Sequence, residues 1–172
     1  RADLTETNLE SSILLNVRIK DAFLLKANFE NSNLAFAKFE GANLSEAILK
    51  NADLSQAWLF GTPQKKLELK STVLDNANLL AAALRHADFS NKKTQDMKNF
   101  GLSFGDASVV LPLGEPWPCH WGIKEEGPLN DVQFFGRWHG WIVKLGGTTD
   151  ELDFQQYPPI PPPAKCSVPA VQ

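Results

Sequence analysis

The sequence has few of the features that are typical of membrane proteins, nucleic-acid-binding proteins or enzymes with well-known catalytic motifs. Its 172 residues include only two cysteines and three histidines, and the formal net charge is only −3. No apolar run approaches the roughly 18 residues needed to span a bilayer, and no signal peptide is visible. Motifs of the P-loop, GxGxxG, GxSxG and HExxH types do not occur. A nearly neutral chain has no long-range field to attract or imitate nucleic acid, so we expect no direct nucleic-acid binding.

The two cysteines, Cys119 and Cys166, lie far apart in the sequence and allow two interpretations. They could form a disulfide in an oxidising compartment, or they could be free thiols in a cytosolic protein. We favour free thiols, and with them a cytoplasmic location. Cys119 and His120, with His139 far away, do not match the spacing of zinc ligands. We therefore expect packing roles for these residues and no metal or cofactor.

What the sequence does contain is a period of five residues. A Leu, Phe or Ile recurs at every fifth position of the first half, and a small or β-branched residue stands two positions before each one. The large residues are Leu4, Leu9, Leu14, Ile19, Leu24, Phe29, Leu34, Phe39, Leu44, Leu49, Leu54, Leu59, Leu74, Leu79, Leu84 and Phe89. This period fits neither a helix, with about 3.6 residues per turn, nor a strand, with a period of 2. A backbone that turns a corner once per unit satisfies it, which predicts an all-β solenoid with a filled axis and a contiguous core.

The units carry an A(D/N)LXX signature. It appears as Ala2-Asp3-Leu4, Ala27-Asn28-Phe29, Ala42-Asn43-Leu44, Ala52-Asp53-Leu54, Ala77-Asn78-Leu79 and Ala87-Asp88-Phe89. This signature resembles the bacterial pentapeptide-repeat family. The resemblance implies a right-handed quadrilateral β-helix over residues 1–91, with four units per coil and about four to five coils. Residues twenty apart would then stack in apolar ladders that need no metal or disulfide.

The chain starts at Arg1, inside a repeat. Because an uncovered solenoid end invites aggregation, we expect further sequence upstream. Any targeting or membrane segment would lie there, so a membrane would be reached only through that missing part.

The repeat is interrupted after Leu59. Gly and Pro punctuate the segment, and a buried Gln would need partners, so we predict a loop near 60–66 before the coil resumes near 67. The loop is either an insertion without a functional role or part of a contact surface. Trp58 and Phe60, beside it, either form an exposed contact or lie beneath the C-terminal segment. The candidate interaction surface comprises Trp58, Phe60, Gln64, Lys65 and Lys66.

The second half is predicted to be an irregular extension. Residues 92–145 would form a capping extension with a short α-helix at about 130–145, and residues 146–172 a Pro-rich tail. The helix presents one apolar face that includes Phe135, Trp138, Trp141 and Ile142. We favour a lid on the open end of the solenoid over a homodimerisation helix or an amphipathic membrane-surface helix. For the tail we favour a disordered terminus over a polyproline II ligand.

These features predict a non-catalytic scaffold that binds another protein, with no catalytic residues and no cofactor. One alternative comes from the resemblance, because the quinolone-resistance pentapeptide proteins imitate DNA and bind DNA gyrase. Lysines among the wall acids, such as Lys20 and Lys26, argue against that function here. The other alternative is a regulatory domain of a larger, membrane-tethered protein.

Overall fold

The computed structural model of the chain describes residues 1–121, 124–149, 154, 156–164, 166 and 171. In its first part, successive turns of backbone lie side by side in parallel, joined by single-residue bridges such as Asp3 to Phe23 and Phe23 to Asn43. The twenty-residue spacing of these bridges places four five-residue units in each turn. The chain is therefore the predicted solenoid.

Most corners of the coil are made by a residue in the left-handed region. This residue follows the large ladder residue by two positions, and in Glu6, Asn16, Gly41 and Asn76, for example, φ lies between 56° and 66°. The amide of the next residue bonds back across the corner, as Thr7 N does to the Leu4 carbonyl at 3.1 Å. This is the geometry of a type II turn, which needs a positive φ at its third residue and favours Gly or Asn there.

The Asp or Asn of the signature supports the same corner. The side-chain oxygen of Asp3 accepts the backbone N–H of Thr5 at 3.0 Å, and Asn43 does the same for Ser45 at 2.9 Å. Such local bonds favour turns because they give a main-chain donor a partner within two residues. The signature thus encodes the corner as well as the core.

The interior is filled by the ladders. Leu24 and Leu44 are fully buried in one ladder, with Ala22 and Ala42 beside them. The first-turn members Leu4, Leu9 and Leu14 are only partly buried, since a neighbouring turn covers them on one side. Burial of each large ladder residue contributes about 1.5–3 kcal/mol.

The predicted interruption is a loop that protrudes from the wall. Bridge spacing changes from twenty to twenty-five residues where Asn43 pairs with Glu68, so one turn holds five extra residues. Thr62 and Lys65 close the loop by mutual main-chain hydrogen bonds. A Cβ at Gly61 would overlap the main chain of Leu67, so the two ends of the loop approach as closely as only glycine allows.

The solenoid does not end near residue 91, which corrects the predicted boundary. It continues to Val110, and Met97, Phe100 and Phe104 enter the same core. Bridge spacing grows from 20 for Asn78–Lys98 to 22 for Asp88–Val110, so two single-residue insertions break the period. Short 3-10 helices at Thr94–Asp96 and Phe100–Leu102 stand in this last turn. The solenoid continues beyond the five-residue sequence pattern because pairing of the backbone accommodates single-residue insertions. The same insertions interrupt a fixed period in the sequence.

One wall of the solenoid carries a three-stranded parallel sheet in the order β1-β2-β3. Its strands are β1 (Trp58–Phe60), β2 (Ala83–Arg85) and β3 (Phe104–Gly105). After a 3-10 helix at Lys124–Glu126, helix α1 (Asp131–Lys144) packs on this wall. The predicted lid is therefore wrong in its placement, because α1 covers a side wall. The helix begins with a capping box between Asn130 and Gln133.

The described part of the C-terminal segment is packed, contrary to the expected disordered tail. We call residues 154, 156–164 and 166 the strap, because they cross the outside of α1. The Ile160 amide donates to the Gly136 carbonyl at 2.8 Å, and Tyr157 stacks near Phe135 with ring centres 4.9 Å apart. The rest of the predicted tail, at 150–153, 155, 165, 167–170 and 172, lies outside the described residues.

Candidate interaction surface

The two predicted surface aromatics lie beneath α1. The Trp58 ring is 5.2 Å from Phe135 and 5.6 Å from Trp138, and the Phe60 ring is 5.5 Å from Phe134. Phe60 is only 7% exposed. Of the two alternatives, the C-terminal segment does fold back over this pair, and the prediction of an exposed aromatic contact is wrong for Phe60 and largely so for Trp58.

The apolar face of α1 is used within the chain. Trp138, Trp141 and Ile142 are fully buried, and Phe135 is partly buried between the wall and the strap. The Trp141 indole N–H donates to the Leu102 carbonyl at 2.8 Å. Because these side chains already have partners inside the molecule, the face predicted for a homodimer is not free to form one.

An ionic clamp that sequence reasoning missed holds the start of α1 to the wall. The Arg85 guanidinium donates to Asp131 and to the Leu129 carbonyl, both at 2.6 Å. Its Nε lies 3.5 Å from the fully buried carboxylate of Asp106, which also accepts the Leu129 amide at 3.0 Å. Buried charges require such partners. Nothing in the spacing of these residues signalled that they would meet.

A groove runs between the solenoid wall and the outer edge of α1. Its volume is about 470 Å³, and we call it the basic groove. The lining residues are Arg18, Lys20, Lys38, Glu40, Trp58, Phe135, Gln156 and Tyr157. Among the described lining residues there are three cations, one carboxylate and three aromatic rings, so an anionic ligand with an apolar part would be complementary to the groove.

The coil itself sets the order of groups in the basic groove. Arg18, Lys38 and Trp58 stand in one column of bridged residues. The Lys38 ammonium lies 4.2 Å from the centre of the Trp58 ring, a cation–π contact. The Trp58 Nε1 is buried and has no hydrogen-bond partner among the described residues, which is unusual for an indole N–H.

The predicted loop is exposed and carries two lysines, one of which pairs with a glutamate just beyond the loop. Gln64, Lys65 and Lys66 all face solvent, and Lys65 pairs with Glu68 at 3.6 Å. Below the loop, a second concavity of about 590 Å³ includes Lys92. Burial lowers the pKa of Lys92, whose ammonium donates to the Thr72 carbonyl at 2.8 Å. The loop and the aromatic pair had been predicted to form one interaction surface. They do not, because the loop faces solvent and the aromatic pair lies beneath α1.

Cys119 and Cys166 form a disulfide, with their Cα atoms 5.6 Å apart. The favoured prediction of free thiols is therefore wrong, because the strap brings Cys166 back to a segment 47 residues earlier. Disulfides persist in oxidising compartments, so the main reason for predicting a cytoplasmic location is lost.

His120, next to this disulfide, is a buried neutral base. Its ring stacks on Trp141 with centres 3.7 Å apart and planes 10° apart, and Nε2–H donates to the Ser103 carbonyl at 2.6 Å. Burial lowers the pKa of His120 to about 4. Within the described residues, Cys119, His120 and Cys166 also form the one cluster of three His, Cys, Asp or Glu side chains that could hold a metal ion.

Ion pairs between successive turns neutralise the outer walls. Each joins a lysine to a glutamate twenty residues away. The pairs are Lys26–Glu6 at 3.4 Å, Lys20–Glu40 at 3.3 Å and Lys50–Glu30 at 3.2 Å. Exposed pairs of this kind add little stability, but they prevent a continuous acidic surface. Among the described residues, no helix combines the length and apolar character needed to cross a bilayer.

Comparison with known proteins identifies the repeat. The family model for pentapeptide repeats matches eight copies, over residues 1–34 and 27–62. A search of curated proteins gives no match.

Solved structures of low sequence identity share the fold. One is a trypsin-treated variant of QnrB1, a plasmid-mediated fluoroquinolone resistance protein. It is 19% identical with a TM-score of 0.55, and the match covers 64% of this chain and 50% of the QnrB1 chain. Another is HetL from the cyanobacterium Nostoc sp. strain PCC 7120, a protein involved in heterocyst differentiation regulation. It is 19% identical with a TM-score of 0.50, and the match covers 75% of this chain and 67% of the HetL chain. The chain thus spans half of the QnrB1 structure, and identities this low show the fold alone. Residues 1–62 are a run of pentapeptide repeats, and the chain shares the β-helical solenoid fold of these structures.

Proposed function

We propose that this protein is a non-catalytic scaffold of a bacterial cell, which binds an acidic segment of another protein in its basic groove. The charge and shape of that groove are the observation that carries the proposal. We also propose the finer features implied by the family resemblance, a right-handed coil with about four to five turns.

The rest of the solenoid offers little for a small substrate. Leu and Phe ladders with alanines beside them fill its axis, so no ligand can enter it. The walls carry paired charges of both signs. Recognition therefore has to use an outer surface, as is usual for solenoid proteins.

The basic groove is the outer surface with the clearest chemical preference. Among the described residues that line it, Arg18, Lys20 and Lys38 outnumber the carboxylate of Glu40, which pairs with Lys20, although the protein as a whole is acidic. Carboxylates of a partner would meet these cations, while an aromatic or aliphatic side chain could contact Trp58 and Tyr157.

The alternative of a DNA mimic acting on gyrase has less physical support. A mimic needs a continuous acidic surface, whereas Lys20, Lys26 and Lys50 pair with the wall glutamates. A supercoiling assay with DNA gyrase that showed inhibition or protection would revive it. The second alternative, a regulatory domain of a larger membrane-tethered protein, has no observation in its favour.

A peptide-binding experiment tests the proposal. The probe is a fluorescent peptide of alternating Glu and Phe, and a Gln–Phe peptide of the same length serves as its neutral counterpart. Fluorescence anisotropy should show binding of the acidic peptide that weakens as salt rises. Arg18→Glu should weaken it about tenfold or more, because it changes the charge of the groove by two.

Lys70→Glu is the matched control, since Lys70 is exposed on another wall and undergoes the same charge change. It should leave the affinity within about twofold of the wild type. Equal affinity for the acidic and neutral peptides, or equal effects of the two substitutions, would overturn the assignment of the basic groove.

A further inference from the structure

The strap brings together three side chains whose donor atoms suit a soft metal ion. The two sulfurs of Cys119 and Cys166 and one imidazole nitrogen of His120 all lie within 4.8 Å of one another. Adjacent residues supply two of these donors, and the third arrives from 47 residues further along the chain. Sequence spacing could not have shown this set, because the closing of the strap creates it.

The separation of these atoms is close to what a zinc ion requires. Zn–S bonds of about 2.3 Å and Zn–N bonds of about 2.0–2.1 Å place tetrahedral ligand atoms about 3.5–4 Å apart. Opening the disulfide lets the sulfurs separate by side-chain rotation, while the Cα atoms can stay near their present 5.6 Å. The main chain therefore needs no large movement to admit the ion.

The imidazole makes the kind of main-chain hydrogen bond that histidines make in known metal sites. A carbonyl can only accept, so the bond from Nε2 to the Ser103 carbonyl places the ring proton on Nε2 and leaves Nδ1 with its lone pair. Stacking on Trp141 holds the ring plane. Histidine ligands almost always donate their other ring N–H to a carbonyl or carboxylate in this way.

Burial differs among the three donors, which leaves an entry path. His120 and Cys166 are 3% and 4% exposed, whereas Cys119 faces solvent. An ion could enter from the Cys119 side and keep a water there as its fourth ligand. Two thiolates and an imidazole favour Zn²⁺ over Mg²⁺ or Ca²⁺, which prefer oxygen.

We propose that Cys119, His120 and Cys166 bind one thiophilic metal ion, of the Zn²⁺ class, when the disulfide is reduced. Reduction transfers two electrons and two protons from a dithiol to the disulfide, which becomes two thiols while the dithiol becomes its own disulfide. Binding of Zn²⁺ then releases the two thiol protons to water and forms two Zn–S bonds. The strap is thus held by a disulfide under oxidising conditions and by a metal under reducing conditions.

Cobalt titration of the intact protein tests this site. The protein is reduced with a phosphine, which leaves as its oxide, and the excess is removed without air. Co²⁺ should bind at one equivalent per chain with thiolate charge-transfer absorption, and Zn²⁺ should displace it. The oxidised protein should show no such band, and Cys119→Ser or Cys166→Ser should remove it from the reduced protein.

The histidine ligand is tested with a matched pair of variants. His120→Gln should weaken Co²⁺ binding by about tenfold or more. His139→Gln is the control, because His139 also stacks on an aromatic ring, Phe154, and bonds to a main-chain carbonyl, but it has no sulfur partner in the described structure.

Three results of the metal titrations would overturn the proposal. They are no one-to-one complex in the reduced protein, equal affinity in His120→Gln and the wild type, or equal binding by the oxidised protein. Near-ultraviolet circular dichroism of the same samples follows the packing of the tryptophans. A reduced protein that loses this signal and does not recover it with Co²⁺ or Zn²⁺ would overturn the proposal as well.

Discussion

The indole N–H of Trp138 donates a hydrogen bond of 2.8 Å to the main-chain carbonyl of Ala81. Ala81 stands at a corner of the coil, with φ of 53°, and is buried. Helix α1 is therefore bonded to the backbone of the solenoid itself, and Trp141 repeats the arrangement at Leu102. The helix and the solenoid wall form one core, in which the loss of the Trp138 donor removes the side-chain partner of the Ala81 carbonyl, whereas the Leu102 carbonyl also accepts the Ala81 amide at 3.2 Å.

Trp138→Phe is expected to destabilise the protein. The phenyl ring retains much of the apolar contact but cannot donate to Ala81, whose buried carbonyl would then be unsatisfied. The free energy of unfolding should fall by about 1–3 kcal/mol, measured by urea denaturation. Val143→Ala on the exposed side of α1, where the side chain is 53% exposed, should stay within about 0.5 kcal/mol of the wild type. Equal effects of the two changes would contradict the role assigned to this bond.

Leu44→Ala and Leu4→Ala compare two members of one ladder. Leu44 is fully buried between turns, so its truncation should cost about 2–5 kcal/mol through lost burial and a residual cavity. Leu4 is partly exposed in the first turn, and the same substitution there should cost less than half as much. Thermal or urea denaturation of both variants provides the measurement. A cost at Leu4 as large as that at Leu44 would show that the first turn is covered in solution.

Gly140→Ala is expected to dislodge the strap while keeping α1 helical. A Cβ at Gly140 would overlap the carbonyl of Ile160, whereas alanine favours the helix itself by about 1 kcal/mol. Hydrogen exchange at the Ile160 amide, now bonded to the Gly136 carbonyl, should become faster. Gly101→Ala is the control, because nothing lies within 4 Å of its added methyl group. Unchanged exchange in Gly140→Ala would mean that the strap does not pack so closely.

The disulfide-linked protein should lose stability as pH falls from about 6.5 to about 4. Burial lowers the pKa of His120 from its ordinary 6.5 to about 4. In this window the unfolded chain binds a proton that the folded chain does not, so protonation favours unfolding. The full effect is on the order of 3 kcal/mol, and it levels off below the folded pKa.

The contribution of His120 is isolated by difference. Urea midpoints of the wild type and His120→Gln are compared across the window, so that titration of the carboxylates cancels. The variant should show a shallower pH dependence, and His139→Gln should keep that of the wild type. Parallel curves for the wild type and His120→Gln would rule out this role for His120.

Local rules made the first sixty residues predictable. A large residue, a small residue and an Asp or Asn recur at fixed positions, and each is explained by the ladder or by the corner within five residues. Phe100 and Phe104 were missed because the pattern of one large residue at every fifth position stops after Phe89, although Phe104 still pairs with Ala83 of the preceding turn. The loop before Leu67 was recognisable from Gly61 and Pro63, which mark a break in any regular element.

Contacts across long stretches of sequence escaped prediction for a different reason. An amphipathic face on α1 indicated burial, but many apolar surfaces could have supplied the cover, including a second copy of the chain. Likewise, the proline-rich composition of the strap gave no sign that Ile160 would lie against Gly136 and Gly140. Composition describes what a segment can bury, but it does not identify the surface that buries it.

The sequence by itself determined the solenoid and its filled axis, because both depend on a pattern that repeats every five residues. The four units per turn were implied by the family resemblance, and the twenty-residue bridges confirm them. Only the tertiary structure decided that α1 covers Trp58 and Phe60, that Arg85 meets Asp106, and that Cys119 reaches Cys166. These pairings depend on where the irregular second half settles on the wall. That position minimises exposed apolar surface over the whole molecule, a sum that no local pattern contains.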